Sequence, residues 1–146
     1  MEIYRNILVA VDISSEAKQI LRKALDFAQK HQVTKVMILT VVEPVILESN
    51  YDLVPVLNVD IEDDLLKRAS THIDRLIDQF NCTFCEKLIT VGATKAEIHR
   101  IADENSIDLI IIGTHGRHGI ARLLGSTASA VLHGAPCDVL TVKITE

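Results

Sequence analysis

Aromatic residues are scarce in this sequence: they make up 3% of it, and tryptophan is absent. Apolar residues nevertheless account for 48% of the chain, which is typical of a packed globule and excludes a disordered polar segment. The core must therefore be built from aliphatic side chains. With 146 residues, the chain is long enough to bury such a core within one domain, and no internal repeat or domain boundary interrupts residues 1–146.

The sequence also lacks a long apolar run. No stretch approaches the roughly 20 residues that a helix needs to cross a bilayer. The first 13 residues become acidic at Asp12, too early for a secretory signal. The net charge of −5 disfavours nucleic acid or an anionic membrane as the main partner. We therefore predict a soluble, cytoplasmic protein that binds neither nucleic acid nor membranes.

Cysteine is limited to Cys82, Cys85 and Cys137, and this odd number predicts reduced thiols in a reducing compartment. The first two match C-x-x-C, a spacing found in redox pairs and in zinc sites. A thioredoxin-type pair begins a helix after a strand, whereas this pair follows a helical pattern and leads into a strand. Because no second pair of ligands has zinc-like spacing, we predict ordinary structural thiols and no metal site formed by protein groups alone.

Short apolar runs alternate with helical stripes along the chain. The predicted strands cover residues 5–11, 35–42, 84–91, 108–112 and 137–143. The predicted helices cover residues 14–31, 61–80, 94–102 and 126–133, with Ser14 or Ser15 capping the first and a capping box from Thr94 to Glu97. Residues 43–59 contain two prolines and predict an irregular excursion of undetermined role. Such alternation predicts a single three-layer α/β domain with a doubly wound parallel sheet.

A glycine-rich segment directly follows the fourth predicted strand. It runs through Gly113, Gly116 and Gly119 and continues to Gly125-Ser126-Thr127 at the start of the last helix. Ligands of open α/β sheets bind at the carboxyl ends of the strands. Glycines let backbone N–H groups approach a ligand closely, and helix N-termini favour anions. With Arg117 and Arg122 nearby, the segment predicts a site for a phosphate-like anion.

Several other nucleotide and RNA motifs fit the sequence poorly. No Walker A pattern occurs, and the dinucleotide fingerprint belongs after the first strand, which here ends in Val11-Asp12. A receiver domain needs several acidic residues at the strand ends, whereas Asp12 stands alone at its turn. The segment around Gly113–Gly116 also looks like the G-x-x-G loop of KH domains. That loop lies between two helices and accompanies a basic surface, so we disfavour RNA binding.

With these residues the chain resembles the universal stress protein family. Gly113, Gly116, Gly125 and Ser126 are similar to the glycine motif that follows the fourth strand of that family. Eight residues separate Gly116 from Gly125, one fewer than in the family pattern. The opening segment ILVAVDIS and the closing segment APCDVLTVK are also similar, so the resemblance covers essentially the whole chain.

The resemblance implies an adenine-nucleotide-binding sheet with strand order 3-2-1-4-5 and ATP at the carboxyl edge. Asp12 would accept a hydrogen bond from a ribose hydroxyl, and Val41 would pack on the adenine. Mg²⁺ or Mn²⁺ would be held on the phosphates. The implied contact residues are Ala10, Val11, Asp12, Val41, Ile112, Gly113, His115, Gly116, Arg117, Gly125, Ser126 and Thr127.

The histidines fall into two groups. His115 and His118 lie in the glycine-rich segment, within reach of a phosphate or its cation. The other four lie on predicted helices or at helix ends, where we expect surface or capping roles; they are His31, His72, His99 and His133.

Two functions stay open on these grounds. The first is an ATP-binding regulatory module with no catalytic residue and little or no hydrolysis, since no evident carboxylate partner supports His115 or Arg117. The second is a nucleotide-free family member that acts through dimerisation and protein contacts. The resemblance implies a homodimer paired through residues 137–143, whose apolar stretch would be a hazard as an open edge. The stress signal and the downstream target are not indicated by the sequence.

Overall fold

The computed structural model of the chain describes residues 4–44, 46–48, 55–57, 59–114 and 125–145. The strands are β1 (Asn6–Ala10), β2 (Lys35–Val42), β3 (Ile46–Glu48), β4 (Pro55–Leu57), β5 (Cys85–Val91), β6 (Leu109–Gly113) and β7 (Asp138–Val142). The helices are α1 (Ala17–Lys30), α2 (Val59–Gln79), α3 (Thr94–Glu104) and α4 (Ser126–Leu132).

Five of these strands form one parallel sheet in the order β5-β2-β1-β6-β7. With β3 and β4 set aside, this is the predicted order 3-2-1-4-5, and the doubly wound α/β fold is confirmed. The order reverses beside β1, because β2 and β5 lie on one side of β1 and the later strands β6 and β7 lie on the other. In open α/β sheets, ligands bind at such a reversal, which here lies at the carboxyl ends of β1 and β6.

The central strands are apolar throughout because helices cover both of their faces. Ile7 and Val9 of β1 are fully buried on the face covered by α1 and α2, while Leu8 is fully buried on the face of α3 and α4. Successive side chains of a strand point to opposite faces, so a continuous aliphatic run is needed to fill both cores. Both cores are almost wholly aliphatic, as the shortage of aromatic residues requires.

Within residues 43–59, which we expected to be irregular, the structure contains a short hairpin and the start of α2. Strands β3 and β4 pair antiparallel, with Ile46 opposite Leu57 and Glu48 opposite Pro55. The prediction was wrong here because three-residue strands leave almost no alternation to detect. Pro55 is also the first residue of its strand, a position where its missing N–H is tolerated.

Both predicted helix caps were wrong. Helix α1 has Glu16 as its N-cap with no side-chain capping bond, and the Ser14 hydroxyl donates instead to the Asp12 carboxylate. Helix α3 has Ala93 as its N-cap, and the Thr94 hydroxyl donates to Glu43 Oε1 at 2.9 Å. Local sequence rules predict that each hydroxyl oxygen accepts from a backbone N–H of the helix. In both places the hydroxyl instead donates to a nearby carboxylate, a charged acceptor that makes a strong hydrogen bond.

The prediction of three reduced thiols was also wrong. Cys82 and Cys85 form a disulfide with 5.6 Å between their Cα atoms, and Cys137 is a free, partly buried thiol. The pair follows α2 and leads into β5, as predicted from the sequence pattern. Among the described residues, no helix combines the length and apolar character needed to cross a membrane.

Candidate functional site

The candidate site lies at the carboxyl edge of the sheet, where β1 adjoins both β2 and β6. Val9 of β1 lies opposite Ile111 of β6, and the Val11 N–H donates to the carbonyl of Leu39 at 2.9 Å. The ends of the three strands therefore lie side by side. Most of the predicted contact residues have their backbone at or next to this edge; they are Ala10, Val11, Asp12, Val41, Ile112, Gly113, Gly125, Ser126 and Thr127.

Strand alternation separates the aliphatic members of this set. Ala10 and Val41 are partly buried and pack against the core of α3 and α4, and Ile112 belongs to that same core. Val11 is 6% exposed and belongs to the core of α1 and α2. Its side chain is thus part of the opposite face. Ile112 is only 4% exposed, so the apolar surface available to a flat ligand at this edge comes from Ala10 and Val41.

Asp12 is exposed, and a tight turn fixes its carboxylate. The Ser14 backbone N–H donates to Asp12 Oδ1 at 3.0 Å, and the Ser14 hydroxyl donates to the same oxygen. Ser14 is itself 8% exposed, so the turn is anchored in the protein. A turn of this kind orients the carboxylate before any ligand arrives.

Gly113 has a packing role that is independent of any ligand. A Cβ atom added there would lie 2.9 Å from Ile20 Cδ1 and 3.2 Å from Ile144 Cδ1. Real Cβ atoms essentially never approach a neighbour at the first of these distances. Glycine at this position lets α1 and the segment after β7 close over the end of β6, as the core of α1 and α2 requires.

Hydrogen bonds hold together the two ends of the segment between β6 and α4. The Gly125 N–H donates to the carbonyl of Thr114 at 2.5 Å, and the Thr114 N–H donates to the carbonyl of Val142 at 2.9 Å. The Ile144 N–H donates to Thr114 Oγ1 at 3.2 Å. Thr114 and Gly125 thus form the base of the segment, and Thr114 joins that base to β7 and to the residues after it.

Helix α4 begins at this base. Its N-cap, Gly125, has extended backbone angles (φ −61°, ψ 157°) and makes no side-chain capping bond, and its carbonyl accepts from the Ser129 N–H. Ser126 and Thr127 in the first turn are exposed. The first N–H groups of a helix lack partners within the helix. The predicted contact residues His115, Gly116 and Arg117, together with His118 and Arg122, lie outside the described residues.

The profile of the Universal stress protein family matches residues 3–143. The chain belongs to this family. Universal stress protein A homolog 2 of Coxiella burnetii is 37% identical over 99% of this chain and 98% of its own length. Among solved structures, the chain is similar to universal stress protein UspA from Lactobacillus plantarum, with a TM-score of 0.75, 30% identity and coverage of 95% and 97% of the two chains.

Two further solved universal stress proteins carry nucleotides. One, in complex with cAMP, has a TM-score of 0.68 and 24% identity over 98% of this chain and 99% of that one. The other, from Archaeoglobus fulgidus in complex with dAMP, has a TM-score of 0.65 and 24% identity over 97% of this chain and 99% of that one. At this level of identity the likeness establishes a common fold.

In this universal stress protein, sequence reasoning missed His72, which we expected at the surface. His72 lies beside the turn of Asp12 and Ser14, and its Nδ1 atom is buried with no hydrogen-bond partner among the described residues. Burial lowers the pKa of His72 below its usual 6.5, and the Arg75 and Lys18 charges lower it further. The Asp12 charge and the nearby Ser14 backbone oppose this shift.

The sequence did carry a signal for His72. It follows Ala69 by three positions and precedes Leu76 by four, so it lies on the buried stripe of α2. His99 was also expected at the surface or in a cap, but it is partly buried and its Nε2 lies 2.8 Å from the carbonyl oxygen of Val131 on α4. His31 and His133 occupy the C-cap positions of α1 and α4, as predicted.

Proposed function

We propose that this protein is a cytoplasmic regulatory module that binds an adenine nucleotide, ATP, at the carboxyl edge of its sheet. The observation that carries the proposal is that Asp12, the partly buried Ala10 and Val41, and the hydrogen-bonded pair Thr114 and Gly125 all lie at the carboxyl edge of the sheet, where the strand order reverses. Open α/β sheets bind ligands at this point. Two proteins of the same family and fold hold adenine nucleotides, cAMP and dAMP.

Each part of a nucleotide matches a different part of this edge. The adenine ring would cover the apolar surface of Ala10 and Val41, which pack on the buried Ile112 and its neighbours in the core. The ribose would lie against Asp12, whose exposed carboxylate is oriented by its turn and can accept from a hydroxyl group. The phosphates would extend toward residues 113–127, where glycines and the start of α4 offer backbone N–H donors.

We propose little or no hydrolysis of the bound nucleotide. Phosphoryl transfer needs a group that positions water and a fixed cation on the γ-phosphate. Within the described part of the chain, no cluster of three His, Cys, Asp or Glu residues could hold a metal ion. Mg²⁺ or Mn²⁺ would then bind mainly through phosphate and water oxygens, as these ions commonly do.

The first test asks which nucleotide the purified protein carries. Denaturing the protein and analysing the released small molecules by mass spectrometry should give ATP. The protein freed of nucleotide should then be stabilised by ATP with Mg²⁺, by about 4 kcal/mol when the ligand is at a thousandfold its Kd. Absence of both bound nucleotide and stabilisation would contradict the proposal and favour a nucleotide-free member that acts through protein contacts.

Asp12→Asn tests the ribose contact within that experiment. Asparagine keeps the side-chain oxygen that the turn uses but loses the charge, so we expect ATP binding to weaken by roughly tenfold, the loss of about 1.5 kcal/mol from a charged hydrogen bond. Asp26→Asn, on the exposed side of α1, is the matched control and should leave the Kd unchanged. Equal ATP affinities of the two variants would show that the Asp12 carboxylate does not contribute to nucleotide binding.

We also propose a homodimer paired through the closing strand, residues 137–143. Strand β7 forms one edge of the sheet, and Leu140 on it is 36% exposed. An edge strand presents unpaired N–H and C=O groups, and a second copy of the same strand can satisfy them.

A further inference from the structure

The disulfide of Cys82 and Cys85 lies at the edge of the sheet opposite the proposed nucleotide site. Cys85 is the first residue of β5 and lies opposite Val36, near the start of β2. Because these strands are parallel, their first residues mark the amino edge. The nucleotide proposal therefore leaves this pair unexplained.

The backbone holds the two cysteines close together without help from the sulfur atoms. Helix α2 ends at Gln79 and a turn follows, in which Asn81 has a left-handed φ of 50° and the Cys82 N–H donates to the carbonyl of Ile77 at 3.0 Å. This is the pattern of a helix C-cap. Cys85 is fixed by the ladder between β5 and β2. The Cα separation of 5.6 Å lies within the usual range for bridged cysteines, and the backbone contacts that set it do not involve the sulfur atoms.

The surroundings of the pair favour the disulfide over the dithiol. Catalytic C-x-x-C pairs lie at helix N-termini, where the positive end of the helix dipole stabilises a thiolate. Cys82 follows the C-terminal end of α2 instead, where the dipole is negative. A pair whose reduced form lacks such stabilisation is a weak oxidant and keeps its disulfide until a strong reductant arrives.

The two sulfur-bearing residues differ in their access to solvent. Cys82 is 3% exposed, whereas Cys85 is partly exposed. An open cavity of about 570 Å³ adjoins Cys82, and Phe80 and Phe84 also contribute to its lining. Phe84, between the two cysteines, is 52% exposed. A small thiol can therefore approach the pair in the folded protein.

We propose that Cys82 and Cys85 form a reversible dithiol/disulfide pair that senses the thiol redox state around the protein. In reduction, an external thiolate attacks the Cys85 sulfur, the bond between the two cysteines breaks, and Cys82 leaves as a thiolate that takes up a proton. A second external thiol then attacks the mixed disulfide and releases Cys85 as a thiol. The protein gains two electrons and two protons, and the external thiols leave as their own disulfide.

The test counts free cysteines in the native protein. After treatment of the native protein with oxidised glutathione, unfolding in urea with iodoacetamide and intact-mass analysis should show one labelled cysteine, Cys137, of the three in the chain. After native reduction with dithiothreitol, all three should be labelled. The Cys137→Ser variant should give none and two in the same experiments, which assigns the change to the pair.

Two outcomes would overturn the proposal. Three labelled cysteines or lasting glutathione adducts on the pair after oxidation would show that the disulfide does not form. A disulfide that yields to dithiothreitol only after unfolding in urea would show a structural bond that does not exchange. Both outcomes are measured on the wild-type protein, so neither depends on the folding of a variant.

Single variants test which sulfur is attacked. Cys82→Ser leaves Cys85 alone, and we expect it to form a glutathione adduct faster than Cys85→Ser, in which the buried Cys82 remains, since access controls the exchange rate. Far-ultraviolet circular dichroism checks that both variants are folded. Equal rates, or the reverse order, would contradict attack at Cys85.

Discussion

At the scale of single residues, Gly113 shows why a glycine motif cannot be assigned to a ligand from sequence alone. The motif predicted a role for Gly113 near the phosphates, and that role stays a prediction. The packing role depends on Ile20 and Ile144, which are far from Gly113 in sequence and meet it only in the folded chain. His72 is the contrary case, because its place on the apolar stripe of α2 was visible in the sequence.

Gly113→Ala should destabilise the protein whether or not nucleotide is present. The new methyl group would lie 2.9 Å from Ile20 Cδ1, and overpacking of this kind costs about 1–3 kcal/mol. Urea unfolding of the nucleotide-free protein measures the loss. Adding Ile20→Val removes the clashing atom, so the double variant should lose less than the sum of the two single losses. Strict additivity would contradict the proposed contact.

His72 should make stability fall in mild acid. Its folded-state pKa lies below its usual 6.5, so the unfolded chain takes up the proton first, and stability is lost as the pH falls from about 6.5 through the folded value. His72→Met, which cannot titrate, should remove this part of the pH dependence of the free energy of unfolding. His31→Gln is the control on an exposed histidine of α1. Unchanged pH dependence in His72→Met would contradict the assignment.

At the scale of the elements, strands and helices of the main sheet were predictable and their caps were not. Apolar runs and helical stripes depend on side chains within one segment, so the sequence carries them directly. The Thr94 hydroxyl instead bonds Glu43, which belongs to the segment after β2, and no local rule contains that partner. The Cys82–Cys85 disulfide was missed because the odd number of cysteines was given more weight than their spacing.

The edge strand β7 gives a test of the proposed dimer. Leu140→Lys places a charge on the exposed side of this strand, and edge lysines block strand pairing. We expect sedimentation equilibrium to show a dimer for the wild type and a 16.2 kDa monomer for the variant. Leu132→Lys, at a residue of α4 that is 41% exposed, is the matched control and should remain dimeric. A monomeric wild type at micromolar concentration would contradict the dimer.

At the scale of the whole molecule, the fold was predictable because nearly every buried strand is a continuous aliphatic run, which indicates that both of its faces are covered. The candidate site was predictable only in its location. The alternation of strands and helices predicts a doubly wound sheet, and the family resemblance implies the strand order and hence the place where it reverses. Which side chains share a face depends on pleating at the strand ends, as the separation of Val11 from Ala10 shows. His115, Gly116 and Arg117 lie outside the described residues, so their roles stay predictions.

The hydrogen bonds of Thr114 have a thermodynamic consequence for the two proposed binding events. Thr114 contacts Gly125 at the base of the glycine-rich segment and Val142 at the end of β7. A nucleotide that shifts this base would change the strand on which the partner subunit pairs. The two equilibria would then be linked, and linkage is reciprocal: the factor by which nucleotide changes the dimerisation constant equals the factor by which dimerisation changes the affinity for nucleotide.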